Sequence, residues 1–320
     1  MNSDNKTIIP IFFAVDNNYA PLLHVALESV ISQASKDYIY NIHILCENLS
    51  NDNKESFLNH YGKNNFNIFI TDMTKLIAAR ASKMHTRDYY SKTTYFRVYI
   101  PSMFPQYDKA LYLDCDIALN ADVSELYNFE VSKYYLGAIT CETVDTIPVF
   151  TEYAEMYLGF KLPKYFNAGV LVLNLKTLRE IRFEDRFFDI LNKVKFEVAQ
   201  DQDYFNVLCK GNVLFLPKVW NKIPRPDSTD KLEDIKLVHY NLSFRPWRYD
   251  NVLYGELFWR HAKNTPVYKH IIEMKRNFSE KDAAYDRQWI TNLMCMAREQ
   301  AHRTETFCNQ ILTGKIILMN

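Results

Sequence analysis

Glycine is scarce in this chain: there are 7 among 320 residues, and neither GxGxxG nor GxxxxGK followed by Ser or Thr occurs. No glycine-rich loop is therefore on offer to cradle a phosphate on backbone N–H groups, and a phosphorylated ligand must be clamped some other way. A bound metal ion is the common alternative. Net charge is missing too. Lys and Arg number 38 and so do Asp and Glu, so no overall field draws the chain to DNA or RNA, whose binding rests on neutralising phosphates. Nucleic acid is not an expected partner. The 6 cysteines, Cys46, Cys115, Cys141, Cys209, Cys295 and Cys308, show no CxxC spacing, and the first residues lack the basic-then-apolar pattern of a secretion signal. A reducing, cytoplasmic setting is expected. Apolar runs are short as well. The longest, such as 8–15 and 168–173, cannot cross a bilayer, so any membrane association has to be peripheral.

What is present is length, aromatics and an alternating pattern. A chain of 320 residues can bury a large core and suits one big α/β domain plus an appendage. Its 22 Tyr and 21 Phe suit stacking on bases or sugars as well as ordinary packing. Residues 8–15 form an apolar run of strand length, followed by a polar turn at 16–19. Leu23, Leu27, Val30, Ile31 and Ala34 then recur at spacings of three and four, which predicts a helix with one face on a sheet. Strands are predicted at 40–45 and 66–70, with Ser50 capping a helix between them. A helix is predicted over 94–103, a short strand over 109–113, and another helix after Asp122 and Glu125, which have capping-box spacing. Farther on come a strand at 169–174, helices at 183–194 and 201–209, and a last short strand at 236–239. Strands alternating with helices imply a mainly parallel, mixed sheet. After Trp247 the character changes: Trp259, Ile271, Ile272, Trp289, Leu293 and Met296 sit among charges. Residues 250–320 are expected to be a helical C-terminal extension to a domain spanning 1–249. It is expected either to rest on an inner membrane surface or to pack on the core as a lid.

In open α/β sheets ligands bind beyond the carboxyl ends of the strands, so the residues just after each strand carry the chemistry. Asp16-Asn17-Asn18-Tyr19 follows the first strand. It is either an ordinary polar turn or a cluster able to hydrogen-bond a base edge and stack on it. Asp114-Cys115-Asp116 follows the 109–113 strand. Positions two apart in extended chain share a side, so both carboxylates can address one hard cation that bridges to phosphate oxygens. Cys115 between them reads as a small buried residue rather than a soft ligand. His239 ends the last strand, ahead of Arg245-Pro246-Trp247. One imidazole nitrogen among oxygens tilts the metal toward Mn²⁺, with Mg²⁺ as the second candidate. Arg245 has the charge and geometry to clamp a phosphate.

Six motifs in register carry a resemblance. They are Phe13-Ala14-Val15-Asp16-Asn17-Asn18-Tyr19-Ala20, Thr94-Tyr95-Phe96-Arg97, Leu111-Tyr112-Leu113-Asp114-Cys115-Asp116, Tyr165-Phe166-Asn167-Ala168-Gly169-Val170, Asp201-Gln202-Asp203 and His239-Tyr240. Over residues 8–247 the chain resembles glycosyltransferase family 8, the retaining galactosyl- and glucosyltransferases that include bacterial lipopolysaccharide enzymes and glycogenin. The resemblance implies a GT-A fold, a Rossmann-like nucleotide-binding domain, and a UDP-sugar donor. It implies that Ala14, Asp16, Asn18 and Tyr19 hold the uridine and that Asp114, Asp116 and His239 ligate Mn²⁺. Arg97, Asn167, Asp201 and Gln202 would line the donor sugar. The acceptor would be a glycan, a lipid-linked glycan or a protein hydroxyl. One stretch departs from the family pattern His-Tyr/Phe-x-Gly-x-x-Lys-Pro-Trp: Leu242 stands for the glycine and Arg245 for the lysine.

The expected reaction moves a hexose, galactose or glucose, with retention at its anomeric carbon. Retention needs either a nucleophile beneath the sugar or attack from the leaving group's own face. Gln202 is in the suspected position and is a poor nucleophile, Asp203 is the nearest carboxylate, and Arg245 stabilises the leaving phosphate; same-face attack is the expectation. Two rivals stand beside it. A haloacid-dehalogenase-type phosphatase also begins from an apolar strand and DxD, but wants Thr or Val where this chain has Ala118. A catalytically silent UDP-sugar-binding protein would share the site without the turnover.

Overall fold

The computed structural model describes residues 6–78, 84 and 92–319. Nine strands occur among them: β1 (Ile8–Val15), β2 (Ile39–Cys46), β3 (Phe66–Asp72), β4 (Lys109–Leu113), β5 (Ile117–Leu119), β6 (Leu136–Thr140), β7 (Phe166–Asn174), β8 (Val213–Phe215) and β9 (Leu237–His239). Seven form one sheet in the order β3-β2-β1-β4-β7-β6-β8. The first four are parallel neighbours, β7 runs antiparallel to both β4 and β6, and β8 is parallel to β6. The fold class is the expected one: α/β, a mainly parallel mixed sheet, and helices at the C-terminal end.

Strand pattern explains the layering. Successive side chains of a strand face opposite ways, so Phe12, Tyr112 and Leu171 join one core cluster while Ile11, Leu111 and Val170 join another. Covered on both sides, these strands read in the sequence as continuous apolar runs. Helix Ala20–Gln33 lies over the second cluster, and Ser50 caps helix Asn51–Tyr61 by accepting from the N–H of Asn53 at 3.3 Å.

Several elements differ from expectation. The stretch predicted helical over 94–103 is a 3₁₀ helix, Lys92–Tyr99, continued by the short turn Ile100–Met103. Strands β5, β6 and β8 were not expected: three to five residues show little period, and unlike the equally short β4 and β9 no site residue at or directly after their ends drew attention. Asp122 does cap Val123–Tyr127, accepting from Ser124 N–H at 2.9 Å, but Glu125 turns to Lys236 instead of completing a capping box.

Beyond residue 250 the chain is helical. Helix Gly255–Ala262 packs on helix Ala20–Gln33 and β5 through Leu257 and Phe258. Helix Glu280–Ala301 opens on a capping box of Ser279 and Asp282 and lies along helix Pro148–Glu152 and the π-helical turn Tyr153–Tyr157. No helix among the described residues is long and apolar enough to cross a membrane.

Candidate active site and metal centre

The two carboxylates and the histidine meet because of one small ladder. At the end of β4, Asp114 N–H donates to the Gly169 carbonyl at 2.8 Å, extending the β4–β7 pairing by one residue. The chain then turns out of the large sheet into β5, which pairs antiparallel with β9 in the register Ile117↔His239. Tyr240 N–H donates to the Asp116 carbonyl at 2.8 Å. This register sets His239 beside Asp116: its Nε2 lies 3.1 Å from Asp116 Oδ1 and 3.8 Å from Asp114 Oδ2. Ligand atoms of the three residues all fall within 4.8 Å of one another.

The surroundings suit a cation. Asn221 Nδ2 donates to Asn167 Oδ1 at 2.9 Å, which leaves Asn221 Oδ1 to accept from His239 Nδ1 at 2.9 Å. That bond fixes the tautomer and turns the Nε2 lone pair toward the carboxylates, the usual orienting arrangement behind a metal-binding histidine. Gly169 makes room for the cluster. A β-carbon there would strike Asp114 Oδ2 and lie 2.5 Å from His239 Cε1. Burial pushes the Asp116 carboxyl up, but the His239 charge and hydrogen bond, with Arg245, outweigh it and leave it below its ordinary value. Burial works the other way on His239, and Asp116 and Asp114 overcome it to raise the ring. A proton on Nε2 and a divalent cation thus compete for one spot, and two carboxylate oxygens with one imidazole fit Mn²⁺ or Mg²⁺ by donor type. Cys115 is no ligand here, since its thiol donates to the Ala14 carbonyl at 3.2 Å.

Next to the centre, Arg97 is nearly buried and held on four sides. Its Nε is 2.9 Å from Asp201 Oδ2 and its Nη1 is 3.7 Å from Asp114 Oδ1. It donates to the Ala168 carbonyl and stacks 4.4 Å above the Tyr112 ring, whose hydroxyl donates to Asp114 Oδ1 at 2.9 Å. Burial, opposed by Arg97 and aided by Asp114, pushes Asp201 up to about 6. A hydrogen-bonded chain runs on from Asn167. Its Nδ2 donates to Gln202 Oε1 at 3.3 Å, Ala168 N–H donates to the same oxygen at 3.0 Å, and Gln202 Nε2 donates to the Tyr165 hydroxyl at 3.1 Å. Tyr165 in turn donates to Asp203 Oδ1 at 2.6 Å, and Tyr153 to Oδ2 at 2.9 Å.

Most of these groups line one cleft that opens to solvent. Of the residues singled out in the sequence, it brings together Ala14, Tyr19, Arg97, Asp114, Asp116, Asn167, Asp201, Gln202, His239 and Arg245. Three do not line it. Asp16 Oδ1 accepts from the N–H groups of Asn18 and Tyr19, both at 3.0 Å, and so shapes the turn that carries Tyr19. Asn18 is exposed on that turn. Asp203 is wholly buried beneath its two tyrosines and the Ala199 N–H.

A family model described as Glycosyl transferase family 8 matches residues 10–251. The chain belongs to glycosyltransferase family 8. It is 31% identical over 215 residues to a Haemophilus influenzae protein named as a glycosyltransferase, a match covering 67% of this chain and 63% of the relative. It is 30% identical over 213 residues to a lipopolysaccharide 1,2-glucosyltransferase of Escherichia coli, covering 59% and 61%. The match thus spans about three fifths of the length of these curated relatives. Among solved structures, the galactosyltransferase LgtC in complex with donor and acceptor sugar analogs aligns with a TM-score of 0.65 at 26% identity, covering 81% of this chain and 96% of LgtC. A phosphatase of the haloacid-dehalogenase type is thereby set aside.

Within this family-8 chain the departure at Leu242 has a structural trace. Its φ is +54°, the left-handed region that glycine enters freely. The leucine keeps the glycine-like backbone at a cost of roughly 1–2 kcal/mol, while its side chain lines the cleft. Sequence reading missed Asn221, which stands in a loop after the 3₁₀ turn Lys218–Trp220 and has no pattern to flag it. It missed Asn241 as well, whose Oδ1 is buried with no hydrogen-bond donor among the described residues; its place two after His239 was the available signal. Gly169 was quoted as motif, but the close approach that requires glycine shows only in three dimensions.

Proposed function

We propose that the chain transfers a hexose from a UDP-sugar to an acceptor hydroxyl, with retention, through a divalent cation held by Asp114, Asp116 and His239. The convergence of those three ligand atoms within 4.8 Å at the head of the cleft carries the reading. Bound there, manganese or magnesium supplies positive charge for the donor's pyrophosphate and for the leaving UDP. Residues 1–249 are assigned to the catalytic domain and 250–320 to its helical extension.

The protein's own groups divide the remaining work. Tyr19 offers a ring to the uracil on the turn ordered by Asp16, and Ala14 and Asn18 lie beside it. Arg245, buried in the cleft wall, neutralises the departing phosphate. Arg97, Asn167 and Asp201 present fixed donors and acceptors to the sugar hydroxyls, so little reorganisation is left for the reaction itself. The acceptor oxygen bonds to the anomeric carbon as the bond from that carbon to the β-phosphate oxygen breaks. The electron pair leaves with UDP, and the hydroxyl proton passes to a phosphate oxygen. Asp203, closed off by Tyr153 and Tyr165, is assigned as a positioning residue that holds Gln202 through Tyr165. That burial supports same-face attack over a covalent intermediate.

The test is a panel of UDP-glucose, UDP-galactose and UDP-N-acetylhexosamines with Mn²⁺, Mg²⁺ or excess chelator, following UDP release and product anomer by NMR. Metal-dependent transfer giving the retained anomer is expected. Undiminished transfer in chelator, an inverted product, or nucleotide binding without turnover would each overturn the proposal, the last in favour of a silent binding protein.

A further inference from the structure

The cleft has two unlike walls. The charged side chains that line it among the described residues, Arg97, Asp114, Asp116, Asp201, His239 and Arg245, lie in or beside the metal centre. Lining the cleft away from these charges are Val144, Phe150, Val198, Trp289 and Leu293, each less than a tenth exposed and all members of one packed core cluster, with Leu242 packed against it. Trp289 and Leu293 stand one turn apart on helix Glu280–Ala301, which begins well past residue 251, where the family match ends. The helix is anchored to the donor side. Asp286 is buried and receives Arg248 Nη1 at 2.8 and 2.9 Å and the Tyr249 hydroxyl at 2.9 Å, just after Arg245 in the chain.

Resting on the donor reading above, we infer that this wall is the acceptor subsite and that it selects an uncharged glycoside with an apolar aglycone. The sugar ring presents its hydroxyl toward Gln202 and Asp201, and the aglycone lies on Trp289 and Leu293. An acceptor that continued as oligosaccharide would bring several hydroxyls against Val144, Phe150, Val198 and Leu293, whose side chains offer them no hydrogen bonds, which is costly. An anionic acceptor would meet no cation on this wall among the described residues. An apolar aglycone instead removes wall and ligand surface from water together. The residues that do the chemistry thus lie in the shared family region, whereas Trp289 and Leu293 of the acceptor wall stand on a helix outside it.

The experiment compares octyl and methyl glycosides of glucose and galactose, below the micelle concentration, as acceptors with each UDP-sugar. The wild-type kcat/KM should favour octyl over methyl by about tenfold or more. Trp289→Ala should cut that ratio by about tenfold, whereas Trp289→Phe, which keeps an aromatic face, should retain most of it. Should Trp289→Ala fail to fold, Val144→Thr, equal in shape but hydroxylated, reads the same ratio and should lower it. A wild-type ratio near one, or a ratio untouched by the substitutions, would overturn the inference. If no UDP-sugar is consumed with any acceptor, the donor reading has failed instead. Calorimetry with the glycosides alone then decides: octyl bound and methyl not supports the platform, and neither bound removes it.

Discussion

The two walls of the cleft are built on different principles. At the candidate metal centre, ends of β4, β7 and β9 bring polar groups together, and the orienting bonds from Tyr112, Asn221 and Asn167 reach nearly every one of them. On the opposite wall, helices Pro148–Glu152 and Glu280–Ala301 meet through apolar packing, where neighbouring side chains can share the loss of one contact. A linked polar network has few half-measures, because a group left without its partner in a buried place keeps its full desolvation penalty. Packing is graded by area. Substitutions on the first wall should therefore act as near all-or-none changes in metal-dependent transfer, and those on the second as shifts in acceptor preference.

The sharpest way to break that contrast is Gly169→Ala. The added methyl enters the space between Asp114 and His239, and metal-dependent transfer should fall about a thousandfold. Calorimetric titration with Mn²⁺ and a thermal melt separate loss of the centre from loss of the fold. A variant that keeps wild-type Mn²⁺ affinity would mean the centre tolerates crowding as packing does.

Asp203 tests the junction, where the polar chain ends on Tyr153 of the apolar wall. Burial, against three donated hydrogen bonds, pushes its carboxyl up to about 6, compared with ~3.9 in an unfolded chain. The folded state holds this proton more tightly, so the stability it contributes is complete below about pH 4 and is lost as pH rises through about 6. The span is about 3 kcal/mol at most. Denaturant melts from pH 4 to pH 7 should show that fall, and Asp203→Asn should reduce it; parallel curves for the two proteins would place the proton elsewhere.

The smallest effect expected on the polar wall is that of Asn221→Ala, which frees the His239 ring without touching a ligand. Mn²⁺ affinity should drop roughly 10–100-fold with the fold intact. A change below twofold would show that the β5–β9 register alone orients the ring.

How much could be read without coordinates varies along the chain. The strands with both faces covered announced themselves, since burial on two sides leaves a run of Ile, Val, Leu and Phe; β1 and β7 are such runs. Asp114 and Asp116 were legible for a related reason, as paired acids directly after such a run. The strand at β9 was expected at 236–239, but three-residue β5 was not, and the pairing of the two, which no local pattern shows, is what sets His239 beside Asp116. Asn221 and the tryptophan of helix Glu280–Ala301 were equally silent about where they point.

The sequence alone determined the order of α/β units, the chemistry at the strand ends and the resemblance that joins them, because those are properties of residues close together in the chain. The resemblance already joined His239 to Asp114 and Asp116; only the tertiary structure decided that the β5–β9 register brings that imidazole to 3.1 Å from Asp116, that Gly169 must be bare, and that a C-terminal helix walls the cleft. Each is a contact between distant segments, fixed by ladder register and core packing, and no local pattern encodes it.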